Sequence, residues 1–209
     1  MVPDVTFTPH PHELRSSSTA EVREDEKWTT PRVRTGGWRQ LGVVNWLLAK
    51  AASRSVGVSS ANLFTTLGQA GGVFRGWLYF SATMMPFGPL SRRDTEMVII
   101  RVAQLRRCAY ELDHHLRLGR RYGITDGVAD YLLSRPVGVR SAGIRHRDDV
   151  VLDCVDDLVL RGELSTSDFD DLRLHFDNRR IIALTLLVGH YSALAGVVRA
   201  LHIERDFSN

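Results

Sequence analysis

The sequence predicts an all-α protein, a helical bundle preceded by an extended N-terminal arm. Three observations carry this. From Trp38 onward apolar residues recur at three- and four-residue spacing, the period of helices that bury one face. Helix-capping and helix-ending residues punctuate the breaks between those runs. No stretch alternates strictly enough between apolar and polar residues to demand a strand. At 209 residues the chain is long enough to bury one good core.

Residues 1–35 are polar and rich in Pro, Ser, Thr and charge, so they read as an extended or disordered arm. Residues 36–209 then form a single all-α domain. Helices are expected at 38–54, 60–69, 71–85, 92–106, 108–122, 126–134, 147–161, 166–176 and 178–202. Pro86, Gly88 and Pro89 break the chain before Ser91, a cap for the fourth helix with Asp94 at its third position. Gly123 ends the fifth helix and Thr125 caps the sixth. Residues 135–145 form the clearest internal loop, and Ser165 with Asp168 repeats the capping pattern. In the ninth helix, residues 181–198 carry no charge and are just long enough to cross a bilayer. Thr185, Gly189, His190, Tyr191 and Ser192 interrupt them, which favours a central helix of a bundle or of an oligomer core.

Composition narrows the function. The formal charge is only +3 and the aromatics are not interleaved with basic runs, so no nucleic-acid partner is indicated. The N-terminus has no apolar run after a basic start, so no secretory signal and no membrane partner are expected, and the protein is placed in the cytoplasm. Two cysteines, Cys108 and Cys154, make no disulfide scaffold. Charge is uneven: residues 101–121 carry six Arg, whereas residues 145–177 carry ten acidic residues. The reading is two solvated faces, or two helices that pair electrostatically.

The candidate site lies on the fifth helix. At 100° per residue, Cys108, Glu111, Leu112, His115, Leu118, Gly119 and Tyr122 share one side, while Tyr110, Asp113, Arg117, Arg120 and Arg121 share the other. A carboxylate, an imidazole and a thiol therefore point where apolar residues usually point, which is costly unless they pair or do chemistry. Glu111 and His115 are spaced to hydrogen-bond along the helix. Burial raises a carboxylate's pKa and lowers an imidazole's, and pairing counters both shifts, so the pair can hold or relay a proton. A satisfied core pair without chemistry is the alternative. Glu96 is the odd polar residue among Ile99, Ile100 and Ala103; it reads either as a second site carboxylate or as a Glu favoured by the helix dipole. Cys108 follows two arginines and opens a helix, which favours thiolate, although lone cysteines on apolar faces are commonly small core residues, as Cys154 is taken to be. His114 falls on the flank and reads as a surface or interface residue, with a lesser possibility that it lines the pocket. His190 and Tyr191 interrupt an apolar helix, and either line the same cavity or bond across the bundle. Glu111 and His114 have the spacing of a di-iron ligand pair, but no second copy exists. Nor is there a zinc motif, so no metal is expected.

These residues resemble a known family. The run from Leu90 through Glu96 to Ala103, the run from Cys108 to His115, the glycine-ended helix before Ile124, and Val188-Gly-His-Tyr191 are together similar to the carboxymuconolactone decarboxylase superfamily, which includes alkylhydroperoxidase D-like proteins. The resemblance covers the middle third of the chain, about residues 62–133, and the last helix loosely. It implies a bundle of the alkylhydroperoxidase D-like type and a homo-oligomer. The peroxidase branch carries a Glu and, twelve residues later, Cys-x-x-Cys-x-x-x-His. Glu96, Cys108 and His115 fall at those places, but Glu111 stands where the second cysteine would be, so no vicinal dithiol forms. The decarboxylase branch tends to show Glu-Leu-x-x-His, here running from Glu111 to His114 and His115. The expectation is a cofactor-free, lyase-like enzyme acting on a small organic acid, with Glu111 and His115 as the proton-transfer pair, Glu96 tuning His115 and Cys108 lining a pocket near the fourth and fifth helices. The alternatives are a thiol-dependent antioxidant protein of the peroxidase kind using Cys108, and a non-enzymatic helical oligomer that binds a ligand or partner.

Overall fold

The computed structural model describes residues 21–22, 28, 30–139 and 145–207. Among them are nine α-helices longer than one turn and no strand: α1 Trp38–Ser55, α2 Asn62–Leu67, α3 Gly72–Met84, α4 Arg92–Leu105, α5 Ala109–Arg120, α6 Asp126–Ser134, α7 His146–Leu160, α8 Thr166–Arg173 and α9 Asn178–Leu201. The caps explain the boundaries. The Ser91 side chain accepts from the Asp94 amide, Thr125 from Val128 and Ser165 from Asp168, each satisfying an amide that the first helical turn leaves open. Asp177 does the same for Arg180 at the start of α9. Gly123 adopts a φ of 88° just past α5, a conformation that favours glycine.

α4 is the centre of the bundle. It packs against α5, α7 and α9, and every residue from Asp94 to Gln104 is buried. A helix buried on all sides must find partners for its charged residues, and α4 carries Glu96 and Arg101 at full burial. α9 packs on α4, α7, α3 and α8 as a core helix of the bundle. Its inner side buries Leu184, Leu187, Val188, Tyr191, Leu194 and Val198, while Ile182, Leu186 and Val197 stay exposed.

The charge runs divide between the two forms expected of them. Arg106, Arg117, Arg120 and Arg121 are exposed. Arg101, however, is fully buried with Asp156 of α7, its Nε and Nη2 reaching the two carboxylate oxygens at 2.7 and 3.0 Å. Arg135 donates to Asp156 at 2.6 Å and also pairs with Asp153. The α4 and α7 charges thus pair electrostatically. The reason is geometric: α7 is buried over most of its length, so its aspartates can face the core only if guanidinium groups meet them.

Most of the expected arm, residues 1–20, 23–27 and 29, lies outside the described residues, as do residues 140–144 of the expected loop. The described end of the arm is fastened to the bundle. Trp28 stacks on His202 at 4.2 Å, the Arg32 amide donates to the Leu201 carbonyl and the Gly36 amide to the Thr65 carbonyl.

Candidate functional site

The α4–α5 turn sets the site. Arg106, Arg107 and Cys108 reverse the chain, and Arg107 takes a left-handed conformation with φ 53°. Its carbonyl accepts from the Arg199 guanidinium of α9 at 2.7 Å. This reversal lays the first two turns of α5 along α4, which brings His115 to Glu96. The His115 Nδ1 lies 2.7 Å from Glu96 Oε2, and the His115 Nε2 lies 3.3 Å from Glu111 Oε2. On its other side Glu96 accepts from Arg92 at 3.1 Å. Glu96, Glu111 and His115 are exposed by only 0, 3 and 4%.

Carboxylates accept and do not donate when ionised, so a ring held by one on each nitrogen is an imidazolium with both protons spoken for. Burial alone would depress the His115 pKa, but the charge of Glu96 and the hydrogen bond to Glu111 overcome it and push it up to about 9. Tyr191 stands edge-on to this ring at 5.2 Å. Its phenol is held well above its usual range by burial and by Glu111 and Glu96. The second oxygen of Glu111, Oε1, is buried and has no hydrogen-bond partner.

A cavity of about 380 Å³ opens beside Glu111 and His115. α5 contributes Tyr110, Glu111, His114 and His115, and α9 contributes His190, Tyr191 and Leu194. The remaining wall comes from α1, α2, α3 and the turn after α3, through apolar residues such as Leu63, Phe64, Trp77, Leu78 and Met85. The pocket was expected near the fourth and fifth helices. α5 lines it and α4 does not; Glu96 stands behind His115 rather than on the wall. Cys108, expected on the wall, is fully buried at the N-cap of α5 and is not among the lining residues. Cys154 sits on α7 near Asp153, Asp157 and Asp168, and burial and those carboxylates push its thiol far up. Neither cysteine is in a disulfide.

His190 does both things considered for it. It lines the cavity and bonds across the bundle to Ser81 Oγ at 3.1 Å. Ser81 spends its only proton on the Trp77 carbonyl, so the His190 Nε2 must carry the proton and donate. Burial lowers the His190 pKa, consistent with a neutral ring, which stacks on Trp77.

His114 corrects the surface reading. It is 5% exposed and lines the cavity. The first turns of α5, through Tyr110, Asp113 and His114, are covered by the tail after α9. Asp206 accepts from Tyr110 at 2.5 Å, pairs with the His114 Nε2 at 2.9 Å, and accepts from the Asn62 amide at 2.8 Å. Arg205 pairs with Asp113, and Phe207 lies under Arg117. Sequence reasoning missed Asp206 and Ser81 because nothing local links them to α5. The available signal for Arg92 was its position one turn before Glu96.

Residues 72–133 match the model of the carboxymuconolactone decarboxylase family. No curated protein matches the sequence significantly. Among solved structures, the fold is similar to an uncharacterized peroxidase-related protein from Ralstonia eutropha JMP134 with an alkylhydroperoxidase AhpD core, at TM-score 0.71 and 20% identity over 84% of this chain and 92% of that one. An uncharacterized peroxidase-related protein from Silicibacter sp. TM1040 gives TM-score 0.69 and 18% identity over 84% and 94%. The apo form of the debrominase Bmp8 gives TM-score 0.66 and 11% identity over 82% and 91%.

Proposed function

We propose that this chain, a member of the carboxymuconolactone decarboxylase/alkylhydroperoxidase D-like superfamily, is an enzyme that moves a proton on a small organic molecule with Glu111 and His115. One observation carries the reading. His115 is clamped between Glu96 and Glu111, and Glu111, whose second oxygen is buried without a partner, lines a cavity.

The chemistry follows from that oxygen. Glu111 takes a proton from the bound molecule on Oε1, and the electron pair of the broken bond stays on the ligand. The His115 imidazolium holds the other oxygen of the Glu111 carboxylate, and Glu96 with Arg92 keeps the imidazolium in place. Glu111 then returns the proton to another atom of the ligand. In a decarboxylation, the electron pair left on carbon as carbon dioxide departs would be protonated by the same acid; in a lactone-type reaction, the proton would shift between carbon positions. General acid–base catalysis of this kind contributes about 10²–10⁴-fold in rate. A cavity that reaches Glu111 and His115 speaks against a purely structural pair.

Hydrogen exchange tests this with model compounds in place of the substrate. A panel of small carbon acids is incubated with the protein in deuterium oxide and followed by NMR. Deuterium incorporation into at least one, abolished by Glu111→Gln and by His115→Ala, is expected. Incorporation that survives both substitutions contradicts the reading.

A thiol-dependent antioxidant activity is the second reading, favoured by the peroxidase-related neighbours and by the position of Cys108 at a helix N-terminus. It predicts a Cys108 sulfenate after peroxide treatment, lost in Cys108→Ser. We further propose a homo-oligomer in the cytoplasm: the exposed apolar stripe of Ile182, Leu186 and Val197 along α9 is a surface that a second copy would cover, and light scattering measures the mass.

A further inference from the structure

The charges and donors on the cavity wall speak to the class of molecule it takes. Among the described residues that line it there is no Lys and no Arg. An anionic ligand such as a small organic acid would therefore find no cation on the wall. Nor does the wall favour a cation. Glu96, Glu111, His115 and Arg92 form one contiguous chain of ion pairs, and with His115 as the imidazolium their charges sum to zero. A ligand of either sign would bring an unbalanced charge into a largely apolar cavity, which is costly.

Hydrogen-bonding capacity points the same way. Most polar hydrogens on the wall are already committed. His115 gives both of its protons to carboxylates. The Tyr110 hydroxyl and His114 Nε2 are spent on Asp206. His190 is spent on Ser81, Ser81 on the Trp77 carbonyl, and Ser55 on the Ala52 carbonyl. The Tyr191 hydroxyl and the Trp77 indole remain as neutral donors, and the buried Glu111 Oε1 remains as an acceptor with no partner. A buried charged acceptor left empty is costly, and a ligand hydroxyl, which can both donate and accept, removes that cost.

We infer that the cavity takes a neutral, predominantly hydrocarbon or aromatic molecule carrying a single hydroxyl-type donor, phenolic or enolic, and that this donor lies on Glu111 Oε1. The inference rests on the proton-transfer reading and narrows it. It replaces the small organic acid expected from the sequence with a neutral substrate whose hydroxyl proton is the one Glu111 accepts. Trp77, Phe64 and Leu78 supply flat and branched apolar surface for the body of such a molecule.

Calorimetric titration of the full chain at neutral pH with p-cresol, p-toluate, p-methylbenzylamine and p-xylene tests it. The four probes share one ring and differ in charge and donor. The phenol is expected to bind about tenfold or more tightly than the carboxylate, the amine or the hydrocarbon. In Glu111→Gln the preference for the phenol over the hydrocarbon is expected to shrink several-fold, because a charged acceptor becomes a neutral one. Binding of the carboxylate, the amine or the hydrocarbon as tightly as the phenol overturns the inference, as does failure of the phenol to bind at millimolar concentration. An unchanged phenol preference in Glu111→Gln overturns the placement of the donor. These failures are distinct from failure of the proton-transfer reading, which would appear as deuterium exchange insensitive to Glu111 and His115.

Discussion

Two buried charge clusters meet α4 at different points around its circumference, and only one of them reaches a cavity. Glu96 and Arg101 are five residues apart, about 140° around the helix. On the Arg101 side, Arg101 and Arg135 face Asp153 and Asp156, and the Arg101 Nη1 also donates to Gln104 and to the Leu132 and Arg135 carbonyls. Arg135 Nε has no hydrogen-bond partner and lies 3.7 Å from Asp149, and none of these charged residues lines the cavity. On the Glu96 side, Arg92, Glu96, His115 and Glu111 form a chain of ion pairs in which Arg92 Nε and Nη1 and Glu111 Oε1 have no hydrogen-bond partner, and Glu111 and His115 line the cavity. A cluster sealed between helices joins them. A cluster that reaches a cavity can meet a ligand.

The sharpest way to break this contrast is to remove Asp156. Asp156→Ala leaves Arg101 and Arg135 short of their shared carboxylate at full burial, and such losses cost about 3–5 kcal/mol. Urea unfolding should show that loss, or no folded protein at all. A small change would mean that the Arg101 cluster does not join α4 to α7.

The mirror experiment is Glu111→Gln. The substitution keeps the shape and leaves a partner for the His115 ring, so unfolding free energy should change by about 1 kcal/mol or less. Proton exchange should fall about 10²–10⁴-fold. Equal damage to stability and exchange would erase the distinction between the two clusters.

The tail gives an intermediate case. Asp206→Ala removes the acceptor shared by Tyr110, His114 and the Asn62 amide, and leaving such buried donors unpaired costs about 1–3 kcal/mol. Thermal unfolding in wild type and variant measures it.

The last test is pH dependence. The His115 pKa is about 9 in the folded protein against about 6.5 in an unfolded chain. A raised pKa stabilises the fold fully below the unfolded value, and that contribution fades as pH rises through the folded value. Melting temperature should therefore decline between those two pH values, and His115→Gln should flatten the decline.

Much of this was legible in the sequence because helices announce themselves locally. Ser91, Thr125 and Ser165 cap α4, α6 and α8 as their spacing implies. Glu111 and His115 stood out because polar groups on an apolar face are conspicuous at a period of 3.6. What escaped was long-range. Asp206 lies more than ninety residues from the histidine it holds, and the tail containing it buries Tyr110, Asp113 and His114 at the start of α5. Arg101 and Asp156 are likewise separated by 55 residues, so the sequence could not separate solvated faces from paired helices. Cys108 could be placed at a helix start, but only packing decides that it sits behind the wall rather than on it.

The most direct test is the protonation state of His115 itself. Nitrogen-15 NMR of the histidine rings, with His115→Gln to assign the signal, follows its titration in wild type and in Glu111→Gln. The prediction is an imidazolium with both nitrogens protonated at neutral pH, titrating with a midpoint near 9, and a midpoint lowered in Glu111→Gln. A neutral His115 ring at pH 7, or a midpoint that ignores Glu111, would contradict the account of Glu96, His115 and Glu111 as a single proton-holding unit.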